Sequence, residues 1–165
     1  MEMYQRDTLY AMAKGATVNV GDEAPDFILP SHTGDNIRLS DFRDRSAVVL
    51  FFYPKDNTRG CTAEVCAFRD SYEVFTEAGA QVIGVSSDSI DSHEHFAGKH
   101  NLQFALLSDS GGHVRKAYGI AATLGLIPGR VTFVIDRDGK VRHVFNSQVN
   151  IGGHIDGALK VVKEL

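Results

Sequence analysis

Apolar and polar positions alternate along this chain with two clear periods. Ala47 to Tyr53 is a near-continuous apolar run, the signature of a strand buried on both faces. Val82-Ile83-Gly84-Val85, within Gln81 to Ser86, predicts a second strand of the same kind. From Cys61 to Ala78 the period changes to that of a helix. Cys61, Val65, Phe68, Tyr72 and Phe75 fall on one stripe, and Gly79 supplies a C-cap.

Asp88, Ser89 and Asp91 offer N-caps for a helix running to about His100. Phe104 to Leu107 is short and apolar, and it belongs with an insertion that includes a brief helix over Val114–Tyr118, closed by Gly119. Ala121 to Gly129 is a loop punctuated by Gly and Pro. Val131–Ile135 and Lys140–Phe145 flank Asp136-Arg137-Asp138-Gly139, which predicts a hairpin. A last helix spans Gly153 to Glu164, with Ile155, Leu159 and Val162 on one face.

Upstream, Phe27-Ile28-Leu29 and Ile37-Arg38-Leu39 surround Thr33-Gly34-Asp35-Asn36 and suggest a small hairpin. One helical turn follows at Ser40-Asp41-Phe42. Early strands joined by helices imply right-handed parallel crossovers, and the late hairpin adds an antiparallel pair. The fold class is therefore α/β, a central mixed sheet flanked by helices with an N-terminal hairpin extension. Residues 1–17 show no period and are expected to form a flexible arm, leaving 18–165 as one domain.

The 165 residues are enough for one core, and a formal net charge of −4 argues against a general nucleic-acid binder. No apolar run is long enough to span a bilayer, and Met1 to Lys14 lacks the apolar region of a secretory signal. The chain has two cysteines, too few for a secreted disulfide scaffold, so a reducing compartment is the default.

Both cysteines lie just after the first strand, in Pro54-Lys55-Asp56-Asn57-Thr58-Arg59-Gly60-Cys61-Thr62-Ala63-Glu64-Val65-Cys66. A cysteine in the first turn of a helix meets unpaired N–H groups and the positive end of the macrodipole, which favour thiolate, the reactive form. Lys55 and Arg59 are near in sequence and add positive charge. On a regular helix, residues five apart have Cα atoms roughly 8–9 Å apart. A disulfide needs less than about 7 Å, so Cys61 and Cys66 can bond only if the first turns unwind. Two unrelated buried cysteines, or a structural staple, are the plainer alternatives; the staple would close a very short loop and break a helix. Pro54 closes the strand. Thr58 can cap the helix or turn its hydroxyl toward the sulfur.

Pro54-x-x-x-Thr58-x-x-Cys61 resembles the active-site pattern of the peroxiredoxins, and Cys61-Thr62-Ala63-Glu64-Val65-Cys66 resembles the peroxiredoxin Q group, also called bacterioferritin comigratory protein. Gly21-Asp22-Glu23-Ala24-Pro25-Asp26-Phe27 is similar to that family's opening, and Pro128-Gly129-Arg130 to its distal arginine segment. Arg59 departs from the group's usual proline. The resemblance implies a thioredoxin-like fold and a thiol peroxidase acting on hydrogen peroxide and organic hydroperoxides. Cys61 would be peroxidatic, forming a sulfenic acid, and Cys66 resolving, forming a disulfide that thioredoxin or a similar dithiol reduces. Thr58 and Arg130 would hold the peroxide oxygens, and Pro54 would shield the pocket. No metal or organic cofactor is implied. A monomer suffices, in the bacterial cytoplasm or, after removal of a transit peptide, in a plastid. Without the resemblance, Arg130 reads as a solvated arginine after a Pro-Gly turn.

His93, His95 and His100 suggest a solvated helix face rather than a metal site. Glu64 can cap the helix start or bond across the site. Tyr53 is a candidate for lining an apolar pocket. A disulfide oxidoreductase or redox switch fits poorly, because four residues separate the cysteines and Arg130, not proline, precedes Val131. A soft-metal binder using both thiols and a histidine is the third alternative.

Overall fold

The computed structural model describes residues 17–165. The arm expected over residues 1–17 lies outside the described residues, Thr17 excepted. A five-stranded sheet holds the centre. In chain order its strands are β3 (Ala47–Phe52), β4 (Ala80–Ser86), β5 (Ala105–Ser108), β6 (Val131–Ile135) and β7 (Val141–Asn146), and in space they lie β5-β4-β3-β6-β7. β3, β4 and β5 run parallel, while β6 is antiparallel to β3 and β7 to β6. The expected hairpin extension forms from β1 (Ile28–Pro30) and β2 (Asn36–Arg38), followed by a 3-10 turn at Leu39–Phe42.

The helices are α1 (Arg59–Glu77), α2 (Ile90–His100), α3 (His113–Ala117) and α4 (Ile151–Glu164). All six β3 residues are buried because strand alternation sends them to two separate cores. Val49 and Phe51 pack with Val65, Phe68 and Phe75 of α1 and with Ile155, Ala158 and Val162 of α4. Val48, Leu50 and Phe52 pack on the other face with Phe27, Leu39, Tyr118 and Phe133. The continuous apolar run was the signal for this double burial.

The ends of elements follow local chemistry. Ser89 accepts a hydrogen bond from the Ser92 N–H at the start of α2, and Asn150 from the Gly153 N–H at the start of α4, two residues earlier than the sequence pattern places that helix. Gly79 sits just past the end of α1 with φ +88°, a conformation that favours glycine. One segment differs from expectation. Residues 105–108 are not part of an insertion but a third parallel strand, whose main partner is β4. The run is too short for its period to be read, and only its neighbour identifies it.

Candidate active site

β3 delivers the chain to Tyr53 and Pro54, and a short loop then turns it into α1. Asn57 takes a left-handed conformation, φ +63°, which asparagine tolerates. Thr58 occupies the N-cap position in an extended conformation, but its hydroxyl does not cap the helix. It donates instead to the Lys55 carbonyl at 2.9 Å, which tightens the loop. Pro54 is half-buried and Thr58 exposed.

Cys61 is the third residue of α1 and is fully buried, and both cysteines are reduced. Arg130, at the head of β6, donates from Nη2 to Cys61 Sγ at 3.3 Å and from Nη1 to Glu64 Oε1 at 3.3 Å. Arg130 is therefore not a solvated surface arginine; its exposure is 4%. Glu64 bonds across the site rather than capping its helix, and burial pushes its carboxyl up to about 7 despite the opposing pull of Arg130. Its Oε2 makes no hydrogen bond among the described residues and lies 3.7 Å from His154 Nδ1. His154 is itself buried. Its Nε2 donates to the Ser147 carbonyl and its Nδ1 accepts from Thr132, while burial lowers its affinity for a proton.

A second guanidinium braces the site. Arg115 of α3 donates to the carbonyls of Gly129 (2.6 Å) and Tyr53 (2.9 Å), so it ties the loop before Arg130 to the end of the strand before Cys61. Burial lowers its proton affinity, and Asp109 and the Cys61 sulfur act in the opposite direction. Asp109 also positions it, accepting from the N–H groups of Val114 and Arg115. Nothing in the sequence singled Arg115 out. Lys55 and Arg59, the cations near in sequence, are both exposed. The positive charge around the sulfur comes from distant segments.

Behind the loop lies a buried polar cluster. Asp56 accepts from the Tyr53 hydroxyl (2.6 Å) and the Ser92 hydroxyl (2.8 Å), and its Oδ2 is 2.6 Å from His93 Nδ1. His93 Nε2 donates to the Leu107 carbonyl. These bonds hold the Asp56 carboxyl below the usual range against the cost of burial. Asp88 accepts from the Asp56 N–H and the Ser86 hydroxyl. Asp56, Asp88 and His93 have the composition of a metal site, but their facing atoms are engaged in protein hydrogen bonds. Two expectations are corrected here. His93 is fully buried and only His95 of the three α2 histidines is exposed, because α2 lays that position against β5 and the loop. Tyr53 does not line an open pocket; it is buried, with its hydroxyl committed to Asp56.

A helix-start thiol under a buried guanidinium, at the end of the central parallel strand, defines a thioredoxin-like cysteine redox enzyme. Residues 20–144 match the AhpC/TSA family. Over 151 residues the chain is 48% identical to peroxiredoxin Q, chloroplastic, of Sedum lineare, covering 91% of this chain and 81% of the relative. Among solved structures, peroxidoxin BcpB of Mycobacterium tuberculosis superposes with a TM-score of 0.83 at 39% identity, covering 90% of this chain and 98% of the other. A Xylella fastidiosa PrxQ mutant gives 0.82 at 32%, with the same coverage. The chain belongs to the AhpC/TSA family, as a peroxiredoxin of the Q group, a thiol-dependent peroxidase recycled by a thioredoxin-type dithiol. Among the described residues, no helix is long and apolar enough to cross a membrane.

Proposed function

We propose that Cys61 is the peroxidatic and Cys66 the resolving residue of this peroxidase, with Arg130, Thr58 and Pro54 completing the site. The observation that carries the proposal is the 3.3 Å hydrogen bond from Arg130 Nη2 to a fully buried Cys61 Sγ in the first turn of α1. The Cys61 thiolate attacks one peroxide oxygen, the O–O bond breaks, and water or an alcohol leaves. Cys61 is then a sulfenic acid. Arg130 holds the oxygens and stabilises charge on the leaving one, and Thr58 bonds the attacked oxygen by turning from Lys55. Pro54 keeps water from the sulfur.

The Cys66 thiol next displaces hydroxide from the sulfenic sulfur to form the disulfide, and an external dithiol reduces it by exchange. In the reduced protein α1 is continuous through both cysteines, so this step requires its first turns to unwind. Both thiols belong to one chain, which supports a monomeric cycle carried by residues 18–165 as one domain. The reaction fits any compartment that maintains dithiol reductant. We favour the bacterial cytoplasm, and the chloroplastic relatives make a plastid the alternative.

Peroxide consumption with a thioredoxin system tests the assignment. Cys61→Ser abolishes turnover, and Cys66→Ser forms a persistent sulfenic or sulfinic species that thioredoxin does not recycle. Full activity in Cys61→Ser would overturn the proposal.

A further inference from the structure

The environment of Cys66 differs from that of Cys61. Cys66 lies in the second turn of α1, away from the unpaired N–H groups of the helix start, and it is half-buried. No arginine donates to its sulfur among the described residues. Its polar neighbour is a histidine: His100 Nδ1 stands 3.6 Å from Cys66 Sγ. A thiol must lose its proton before it attacks another sulfur.

The imidazole is held in place from several sides. His100 is the last residue of α2, and Asn101 ends that helix in the left-handed conformation, φ +54°. Arg69, one turn beyond Cys66 on α1, donates from Nη1 to the His100 carbonyl at 2.9 Å. Phe96 packs edge-on against the ring, with centroids 5.0 Å apart. The charged and titratable groups acting on it are Lys99 of its own helix and Arg69 and Cys66 of α1. Burial, Lys99 and Arg69 all lower its affinity for a proton. His100 Nδ1, 3.6 Å from the sulfur, is therefore placed to take the proton of the thiol.

We infer that His100 is the general base of the resolving step, taking the Cys66 proton at Nδ1. The inference rests on Cys66 being the resolving thiol. Nδ1 accepts the proton, and the Cys66 sulfur attacks the Cys61 sulfenic sulfur as the start of α1 unwinds. The S–S bond forms and the S–O bond breaks, the departing hydroxide takes a proton from solvent and leaves as water, and Nδ1 gives the Cys66 proton up to solvent, so the step is proton-neutral. The Cys61 sulfur is reduced and the Cys66 sulfur oxidised by the same electron pair, so no further reductant enters.

His100→Gln and His100→Ala, followed by rapid quenching and mass spectrometry after a pulse of hydrogen peroxide, test this. Sulfenic acid formation at Cys61 is expected at the wild-type rate, and disulfide formation is expected to slow on the order of 10²-fold. Added imidazole restores part of the rate in His100→Ala. The wild-type resolving rate falls as pH drops through the imidazole titration, and that limb is absent in His100→Gln. In a Cys61→Ser background, alkylation of Cys66 slows when His100→Gln is added. Wild-type resolution with an unchanged pH profile in His100→Gln, and equal alkylation rates, would overturn the inference. Full thioredoxin-linked turnover in Cys66→Ser would instead overturn the assignment of Cys66, and the role of His100 with it, even if the alkylation difference persisted. The two failures are thus distinct.

Discussion

Arg130 Nη2 lies 3.1 Å from where a Cβ on Gly60 would sit. The same nitrogen donates to Cys61 Sγ, so the absent side chain of Gly60 leaves room for the guanidinium on the sulfur. The position is helical, φ is not in the left-handed region, and alanine is intrinsically preferred there by up to ~1 kcal/mol.

Gly60→Ala therefore separates activity from stability. The new methyl forces Arg130 to yield by a few tenths of an ångström. The first-step rate constant for peroxide is expected to fall about 3- to 10-fold, by scaling from the cost of larger misplacements. The melting temperature should stay level or rise. A fall in both quantities together would show that the methyl disturbs the fold rather than the arginine.

Glu64 predicts an unusual pH dependence. Its folded carboxyl keeps its proton up to about pH 7, whereas the unfolded one releases it near 4.5. Between those values the folded state binds more protons, so this group's contribution to stability falls as pH rises. Glu64→Gln still accepts from Arg130 but carries no titrating proton. Between pH 5 and pH 8 the stability of Glu64→Gln relative to wild type should rise on the order of 2 kcal/mol. Urea unfolding of both proteins at several pH values measures it, and parallel curves would refute it.

The Asp56 cluster predicts the opposite slope. Its carboxyl is held below the usual range, so its contribution is present above the unfolded value and lost as pH falls through the folded one. Asp56→Asn breaks a buried pair with His93 and weakens two hydroxyl contacts, at an expected cost of about 3–5 kcal/mol at neutral pH. The wild-type loss of stability on acidification should be shallower in the variant. Peroxidase activity should fall as well, because Asp56 anchors the loop that carries Thr58. Unchanged denaturation midpoints at pH 7 would remove the cluster's structural role.

Much of the architecture was legible because it is written in local periods. The β3 run, the helical stripe from Cys61 to Phe75 and the turn at Asp136–Gly139 each depend on neighbours within a few residues, and each formed where the pattern put it. The Phe104–Leu107 run was too short to identify, since a strand of four residues is defined by the β4 backbone beside it. His93 and His100 looked alike on one helix. One faces a buried carboxylate and the other a thiol, and that difference lies in β5, the loop and α1, not in α2 itself.

The order of residues along the chain sufficed to place one thiol at a helix start and a second too far along the same helix to bond without unwinding, because helix geometry is local. Resemblance to a family pointed to Arg130. Packing alone decided that Arg130, 69 residues from Cys61 in number, donates to its sulfur, that Arg115, 54 residues away, ties the loop before Arg130 to the end of β3, and that Glu64 and His154 stand behind the site. Charges act through space, and only the folded sheet, bringing β6, α3 and α4 to the end of β3, sets those distances.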